Sequence, residues 1–300
     1  MSLHCWSSPR YAITLPDGHR FPMSKYALLR DAALSSKLVA PANLHEPERV
    51  ALDDLLRVHA RDYVHGVQHG TLDAAHQRRI GLPWSEAFVE RAFRVVRGTI
   101  EASEHAVRYG VAMNLAGGTH HAFPDRGEGF CVFNDVAIAI RRLQALGLVR
   151  RACIVDLDVH QGNGTNAVFA DDDTVYTFNM HGAKNFPFHK VPGSRDEELA
   201  DGTDDATYLT RLADALPAVL RDAHADLVVY LAGADPHEGD RLGRLRMTFE
   251  GLAQRDELVM RTCREIGLPV CVTIAGGYGR DITDTVRVHL NTVATAARYA

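Results

Sequence analysis

The amino-acid sequence predicts a single-domain α/β protein built around a parallel β-sheet. Five short apolar runs lie between residues 110 and 279, and stretches with helical periodicity separate most of them. Strands that alternate with helices are typical of parallel sheets. In one run, residues 153–155 and Leu157 place apolar side chains on both faces, as a strand buried inside a parallel sheet does. No linker divides the chain, so we treat residues 1–300 as one domain.

The N-terminal third is predicted to be helical, and the later helices fall between the apolar runs. Ser24 and Ser85 precede two of these helices and are suitable N-cap residues. The helix after Ser85 extends towards Tyr109 with one continuous apolar side. Helices are expected near residues 25–39, 48–58, 60–70, 86–109, 135–146, 163–170, 205–223, 247–266 and 283–299.

The composition is that of an ordinary globular protein, with 46% hydrophobic residues and a formal net charge of −5. Mild acidity gives no indication of nucleic-acid binding, and no apolar run is long enough to span a membrane. The N-terminal residues lack the charged and apolar regions of a signal peptide. Three cysteines, Cys131, Cys153 and Cys271, lie in apolar runs, which favours buried free thiols in a reducing compartment. We therefore expect a cytoplasmic protein.

Each of the five apolar runs ends in histidine, aspartate or tyrosine, usually beside glycine. The residues concerned are His120, His121, Asp158, His160, His181, Asp235 and Tyr278. A single residue of this kind after a strand is usually a loop histidine or a helix cap. The carboxyl ends of parallel strands, however, meet at one edge of the sheet, where ligands bind in open α/β folds. Five such endings at one edge indicate a functional site.

Asp158, His160 and Asp235 are the candidate metal ligands. Asp158 and His160 are two residues apart at a strand end, so their side chains point the same way. Two carboxylates, one imidazole and an open position for water suit a catalytic zinc ion, and Fe(II), Mn(II) and Co(II) accept the same donors. A metal ion at this position can activate water for attack on an amide.

His120 and His121 are the candidates for general acid–base catalysis, because attack by water needs a base and the leaving amine needs an acid. Each imidazole requires a partner that fixes its tautomer. Asp156 is the expected partner of His120, and Asn163 that of His121. An amide adds no negative charge, so we expect the two histidines to differ in pKa.

Two aromatic residues complete the candidate site. Tyr278 follows Gly276 and Gly277, and from such a turn its phenol can donate a hydrogen bond to a developing oxyanion. A tyrosine after a lone glycine pair more often packs beneath a loop, so the other site residues are what favour the catalytic role. Phe130, close in sequence to the two histidines, can line a narrow apolar entrance.

Together these residues lie in motifs that resemble the zinc-dependent histone deacetylase superfamily. The motifs occur in the family's order: GGTHHA (117–122), GFCVFND (129–135), DLDVHQGNGT (156–165), AGADPHEGDRLG (232–243) and AGGYG (275–279). HRFPMSKY (19–26) and the QGNG segment resemble the class IV branch of that family. The resemblance implies an arginase/deacetylase-like α/β fold, with an eight-stranded parallel sheet and helices on both faces.

The resemblance also assigns roles to individual residues. It implies one catalytic Zn²⁺ on Asp158, His160 and Asp235, an acid–base pair at His120 and His121 with His121 as the base, and carbonyl polarisation by Tyr278. It implies a tunnel for the acylated side chain, with substrate contacts at Gly129, Phe130, Leu242 and Gly277. A structural K⁺ is expected beside Asp156, Asp158 and His160, with the backbone of Asn179 or Met180.

The implied reaction is hydrolysis of the amide that joins an acyl group, acetyl or longer, to a lysine ε-amine of a peptide or protein. Asn163 replaces a class I aspartate, so the proton transfers of class I do not carry over whole. A deacetylase of acylpolyamines or other small amides is an alternative, although the apolar Leu242 replaces an acidic residue of the polyamine branch. A dinuclear manganese ureohydrolase is disfavoured because Gly162 stands where such sites need a carboxylate, although His237 could offer a second metal a ligand. A non-catalytic acyl-lysine binder is the third alternative.

Overall fold

The computed structural model describes residues 2–300 and contains one eight-stranded sheet in which every pair of neighbouring strands is parallel. The strands are β1 (His4–Trp6), β2 (Leu44–His45), β3 (Val111–Asn114), β4 (Ala152–Asp156), β5 (Val175–Gly182), β6 (Arg195–Leu199), β7 (Leu227–Ala232) and β8 (Val270–Ile274). Their order across the sheet is β2-β1-β3-β8-β7-β4-β5-β6. The predicted parallel α/β fold with eight strands is confirmed.

Within residues 2–300, ten α-helices connect and cover these strands. They are α1 (Lys25–Ser35), α2 (Leu52–Leu55), α3 (Arg61–His69), α4 (Ala74–Ile80), α5 (Glu86–Tyr109), α6 (Asp135–Ala145), α7 (Asn163–Val168), α8 (Asp205–Ala223), α9 (Phe249–Glu265) and α10 (Ile282–Tyr299). None of the helices within residues 2–300 is long and apolar enough to cross a membrane.

The central strands are buried on both faces, as their sequence predicts. In β4, Cys153 and Val155 join a core cluster shared with α8, α9 and α10, whereas Ile154 joins a second cluster shared with α6. This alternation follows from the twofold repeat of a β-strand. All five cysteines are buried and free, which confirms the expectation for the three in apolar runs.

Two predicted helix starts have different outcomes. The Ser85 hydroxyl accepts a hydrogen bond from the Phe88 backbone N–H at 3.1 Å and caps α5. Ser24 does not cap α1, because its own backbone is already helical (φ −65°, ψ −18°) and its side chain makes no capping bond. The prediction for Ser24 was therefore wrong. The first helix also ends early, at Ser35, since Lys37 adopts a left-handed conformation (φ 58°).

The remaining differences lie at the sheet edges and in the N-terminal third. Strands β1 and β2 are too short to show an alternating pattern, and β6 has the mainly polar sequence RDEEL. The helix expected at 48–58 shrinks to the four residues of α2, because the backbone of Val50 instead donates to Phe93 O on α5. Helix α4 has no predicted counterpart.

The order of the strands places the candidate site. Strands β3, β8, β7 and β4 are neighbours, and the segments that follow them carry the polar motifs. Because these strands are parallel, their carboxyl ends lie at one edge of the sheet.

Candidate active site

Asp158, His160 and Asp235 form a compact buried group at the carboxyl ends of β4 and β7. One ligand atom from each lies within 4.8 Å of the others, and no other such cluster of three was found within residues 2–300. His160 Nδ1 is 2.9 Å from Asp158 Oδ1 and 3.1 Å from Asp235 Oδ2. The structure therefore brings together the three residues that the sequence identified as candidate ligands.

Backbone groups fix both carboxylates of this group. Asp158 Oδ2 accepts a hydrogen bond from Gly276 N at 2.6 Å, and Asp235 Oδ1 accepts one from Val159 N at 2.9 Å. A Cβ atom on Gly276 would overlap Asp235 Oδ2, so only glycine lets this segment approach the carboxylates so closely. The orientation of the group is thus built into the loops that follow β4 and β8.

The donor set and its charge fit a divalent metal ion. Burial, followed by the charge of Asp158, raises the pKa of Asp235 to about 7. Burial also opposes the charge on His160, yet its hydrogen bonds to Asp158 and Asp235 raise its pKa to about 10. Within residues 2–300, neither carboxylate has an ion pair with lysine or arginine. Two buried carboxylates and one imidazole without such a partner are the oxygen and nitrogen donors that zinc and related ions take.

His120 and His121 lie side by side, with ring centres 4.1 Å apart, but they have different partners. His120 Nδ1 is 2.7 Å from Asp156 Oδ2, and His121 Nδ1 is 2.7 Å from Asn163 Oδ1. Both rings are buried. The contacts expected from the sequence are present, and they give one histidine a carboxylate partner and the other a neutral amide.

This difference separates the pKa values of the two imidazoles. For His120, burial disfavours the charged ring, but the carboxylates of Asp156 and Asp158 outweigh it and raise the pKa to about 9. For His121, burial and then the charge of His120 hold the pKa well below its usual value, because Asn163 contributes no compensating charge. The two imidazoles therefore differ in pKa, as the sequence predicts.

Gly162 separates the metal group from the start of α7. A Cβ atom here would lie 2.6 Å from Asp156 Oδ2, so the carboxylate that a second metal would need cannot fit at this position. His237 does not supply a substitute ligand. Its Nδ1 accepts a hydrogen bond from Gly239 N at 3.1 Å, and its ring packs on Phe249 with centres 4.2 Å apart. The arrangement offers ligands for one ion.

Tyr278 is buried beside the metal group, with its ring centre 6.3 Å from that of His160. Its backbone N–H donates to Asp240 Oδ2 at 2.6 Å, and Asp240 Oδ1 also accepts from the Leu242 N–H. Buried Lys25 donates to Ala275 O at 2.9 Å on the same turn. We did not predict Asp240 or Lys25, although both lie inside motifs that the sequence shows.

A cavity of about 530 Å³ leads from the surface to these residues. The lining includes His121, His160 and Tyr278, together with the predicted contacts Gly129, Phe130 and Leu242. Phe186 also lines it, 5.0 Å from the His121 ring, and was not predicted.

Gly277 is not among the residues that line this cavity, and its role as a substrate contact stays a prediction. A Cβ atom at this position would lie 2.7 Å from the Thr285 methyl carbon and 3.0 Å from Ala234 Cβ. The Gly277 backbone (φ 149°) lies in a region that favours glycine, and it directs the chain into Tyr278.

The register pairs Asp156 with Asn179 across β4 and β5, and the structural K⁺ there stays a prediction.

Known proteins are similar to this chain in sequence and in fold. The histone deacetylase domain model matches residues 19–293. The chain is 48% identical over 281 residues to an uncharacterized protein of Picosynechococcus sp., covering 94% of each chain. It is 32% identical to histone deacetylase 2 of Arabidopsis thaliana, covering 89% of this chain and 73% of the relative. The crystal structure of an HDAC homolog from Aquifex aeolicus superposes with a TM-score of 0.87 at 21% identity, over all of this chain and 85% of that one.

Proposed function

The chain belongs to the histone deacetylase family, and on that premise we propose that it hydrolyses the amide between an acyl group and the ε-amine of lysine. One observation supports this proposal above the others. A buried Asp–His–Asp group, two histidines with unlike partners and a tyrosine meet at the inner end of one cavity. Those are the parts that amide hydrolysis by an activated water requires.

We propose zinc as the metal, held by Asp158, His160 and Asp235. When bound, it would supply a Lewis acid that polarises the amide carbonyl and lowers the pKa of a water molecule. His160 also lines the cavity, so the three residues would hold the ion close to a substrate that enters there.

In this proposal His121 is the general base. Its Nδ1–H donates to Asn163 Oδ1, which leaves Nε2 without a proton and able to take one from the attacking water. His121 also lines the cavity, so the base lies on the side from which substrate enters. Burial and the charge of His120 hold the pKa of His121 low, so the ring is uncharged before the reaction, as a base must be.

His120 is the charged member of the pair. Its Nδ1 lies against Asp156, and its Nε2 is 4.0 Å from Asp158 Oδ1, on the metal side of the pair. A ring held in its protonated form there stabilises the negative charge that develops on the substrate. The proton that the leaving amine needs returns from the pair through His121 Nε2.

Tyr278 donates a hydrogen bond to the substrate oxygen as it becomes negative. Burial, followed by the charge of Asp158, raises the pKa of its phenol well above the usual value. The hydroxyl therefore keeps its proton at neutral pH and acts as a donor.

Turnover of a neutral acyl-lysine peptide series, from acetyl to myristoyl, tests the proposal directly. We expect a chelator to abolish hydrolysis and added Zn²⁺ to restore it, with one bound ion per chain by elemental analysis. Two ions per chain would favour the ureohydrolase reaction. Tight binding of every acyl-lysine peptide without turnover would favour a non-catalytic binder.

A further inference from the structure

The mouth of the cavity carries a cluster of positive charge that the reaction itself does not require. Five basic side chains line it: Arg20, Arg78, Arg79, Lys184 and Arg244. Among the described lining residues, Glu128 is the single exposed or half-buried carboxylate. The chain as a whole has a net charge of −5, so this basic rim is opposite in sign to the rest of the molecule.

The rim residues come from four separate segments. Arg20 precedes α1, Arg78 and Arg79 end α4, Lys184 follows β5, and Arg244 precedes α9. Cations in the last turn of a helix stabilise its dipole, which accounts for the pair on α4. No such reason applies to the other three, which lie in loops that converge on the same opening.

Most of these cations have no carboxylate partner within the protein. Arg244 forms an ion pair with Asp201 at 3.2 Å. For the other four rim cations, no ion pair within 4.0 Å occurs among residues 2–300, and all four are exposed. Their charge is therefore available to a bound molecule.

Hydrogen bonds hold the loop that carries Lys184, and the same loop adds an apolar side chain to the rim. Lys190 Nζ donates to Asn185 O and Pro187 O, and the Asn185 side chain donates to Leu242 O at 2.7 Å. These bonds tie the loop that carries Lys184 to the cavity wall. Phe188 on this loop is 82% exposed and lines the opening.

We propose that the basic rim selects acylated lysines that lie in Asp- and Glu-rich peptide segments. The inference rests on the proposed function, since it concerns the residues on either side of the lysine whose acyl chain enters the cavity. With that lysine inserted, its neighbours lie across the mouth, because each residue advances the chain by about 3.5 Å at most. Acidic neighbours meet the rim cations, whereas basic neighbours and cationic polyamines meet like charge.

The expected preference is moderate and depends on salt. Each exposed charge pair contributes little by itself, so several must act together. We expect kcat/KM for an Asp-flanked peptide to exceed that for a Lys-flanked one on the order of 10-fold at low ionic strength. The ratio should fall as salt rises, since the screening length is about 3 Å at 1 M.

The test uses one acyl-lysine peptide with two flanking residues on each side, made with Asp, Gln or Lys. We expect kcat/KM to fall in that order, an acetylated polyamine to be a poor substrate, and Arg78→Glu/Arg79→Glu to reverse the order. Lys184→Glu, on a separate loop, should reduce the preference for Asp flanks over Lys flanks. Arg150→Glu/Arg221→Glu is the matched control, because both arginines are exposed near the amino ends of β4 and β7, at the opposite edge of the sheet.

The outcomes separate this inference from the proposed function. Turnover of the Gln-flanked peptide with equal rates for Asp and Lys flanks would overturn the role of the rim and leave lysine deacylation standing. A reversal of the order in the control variant would also overturn it. No turnover of any peptide would instead overturn the proposed function, and the inference with it.

Discussion

The inner end of the cavity combines carboxylates with imidazoles, whereas the mouth is mainly basic, and the two are held in different ways. At the inner end, Asp156, Asp158 and Asp235 are buried; Asp156 ends β4, and the other two lie in the segments that follow β4 and β7. At the mouth, the basic rim is exposed and is carried by the end of α4 and three loops. The contrast teaches that the proposed reaction depends on the sheet, whereas the proposed selection of substrate depends on the segments around it.

Hydrogen bonding to the charged groups also differs between the inner end and the mouth. Each inner carboxylate accepts at least one hydrogen bond from a buried backbone or imidazole group. A charge that has lost its water is stable only with such partners. The rim cations keep their water and need no partner, so substitutions there should leave the inner residues in place.

The largest expected effect comes from removing an inner carboxylate. Asp158→Ala should lose the bound metal and lower kcat/KM by more than about 10³-fold, above the cost of losing one oxyanion donor. The checks are metal content per chain and turnover of the neutral acyl-lysine peptide. Asp171→Ala, at an exposed turn position, is the matched control and should keep both properties. If the Asp158→Ala variant still bound metal and turned over the peptide normally, the inner group would not perform the reaction.

The next largest effect should come from Tyr278, which lies beside the metal group and lines the cavity. Tyr278→Phe should lower kcat by about 10²- to 10³-fold, because one donor to the developing charge is lost. Metal content and KM should stay close to those of the unaltered protein, which distinguishes this variant from Asp158→Ala. Tyr109→Phe, at a residue that is 53% exposed, provides the control. A loss confined to KM would make Tyr278 a binding residue only.

The difference between the inner end and the mouth also decides which residues could be predicted from the sequence. The inner residues could be identified because each follows an apolar strand, and strand order then brings them together. The pairing of His120 with Asp156 was predicted from their motifs, although β8 and β7 lie between β3 and β4 in the sheet. The contribution of Asp240 was missed because its bond to the Tyr278 backbone depends on the path of a loop.

The mouth could not be predicted in this way. Arg20, Arg79 and Lys184 are far apart in sequence, and no periodic pattern connects them. Their approach depends on α4, which is only seven residues long, and on hydrogen bonds from Gly129 N to Arg79 O and from Phe130 N to Ile80 O. The edge strands were missed for a related reason, since two- and three-residue strands are too short to show alternation.

Acid should destabilise the fold through a buried histidine close to the inner end. Buried His59 accepts a hydrogen bond from Asn134 N at 2.9 Å and lies 2.9 Å from Phe123 O, next to the segment that carries the histidine pair. Burial lowers its pKa from 6.5 to about 4. The unfolded chain therefore binds the proton first, and stability is lost as pH falls from about 6.5 towards 4.

This contribution should amount to about 2 kcal/mol by pH 5. The measurement is the free energy of unfolding against pH for the unaltered protein and for His59→Gln, which can keep one hydrogen bond. We expect the variant to start less stable at neutral pH and to lose less stability on acidification. Equal slopes over this pH range for the two proteins would exclude His59 as a source of the acid sensitivity.

The smallest expected effect compares two arginines of the mouth. Arg79 has no ion pair among the described residues, whereas Arg244 pairs with Asp201. Arg79→Gln should lower kcat/KM for an Asp-flanked acyl-lysine peptide about 2- to 5-fold at low salt, in keeping with one exposed charge pair. Arg244→Gln should lower it less, because Asp201 already neutralises that charge.

The comparison is made with the Gln-flanked peptide as reference and repeated at 1 M salt. Both variants should turn over the reference peptide at nearly the same rate as the unaltered protein, because no inner residue has changed. At 1 M salt the loss caused by Arg79→Gln should disappear, since screening acts strongly on exposed charges. A loss that persists at high salt, or that extends to the reference peptide, would mean that Arg79 acts through Gly129 and the cavity wall and not through its charge.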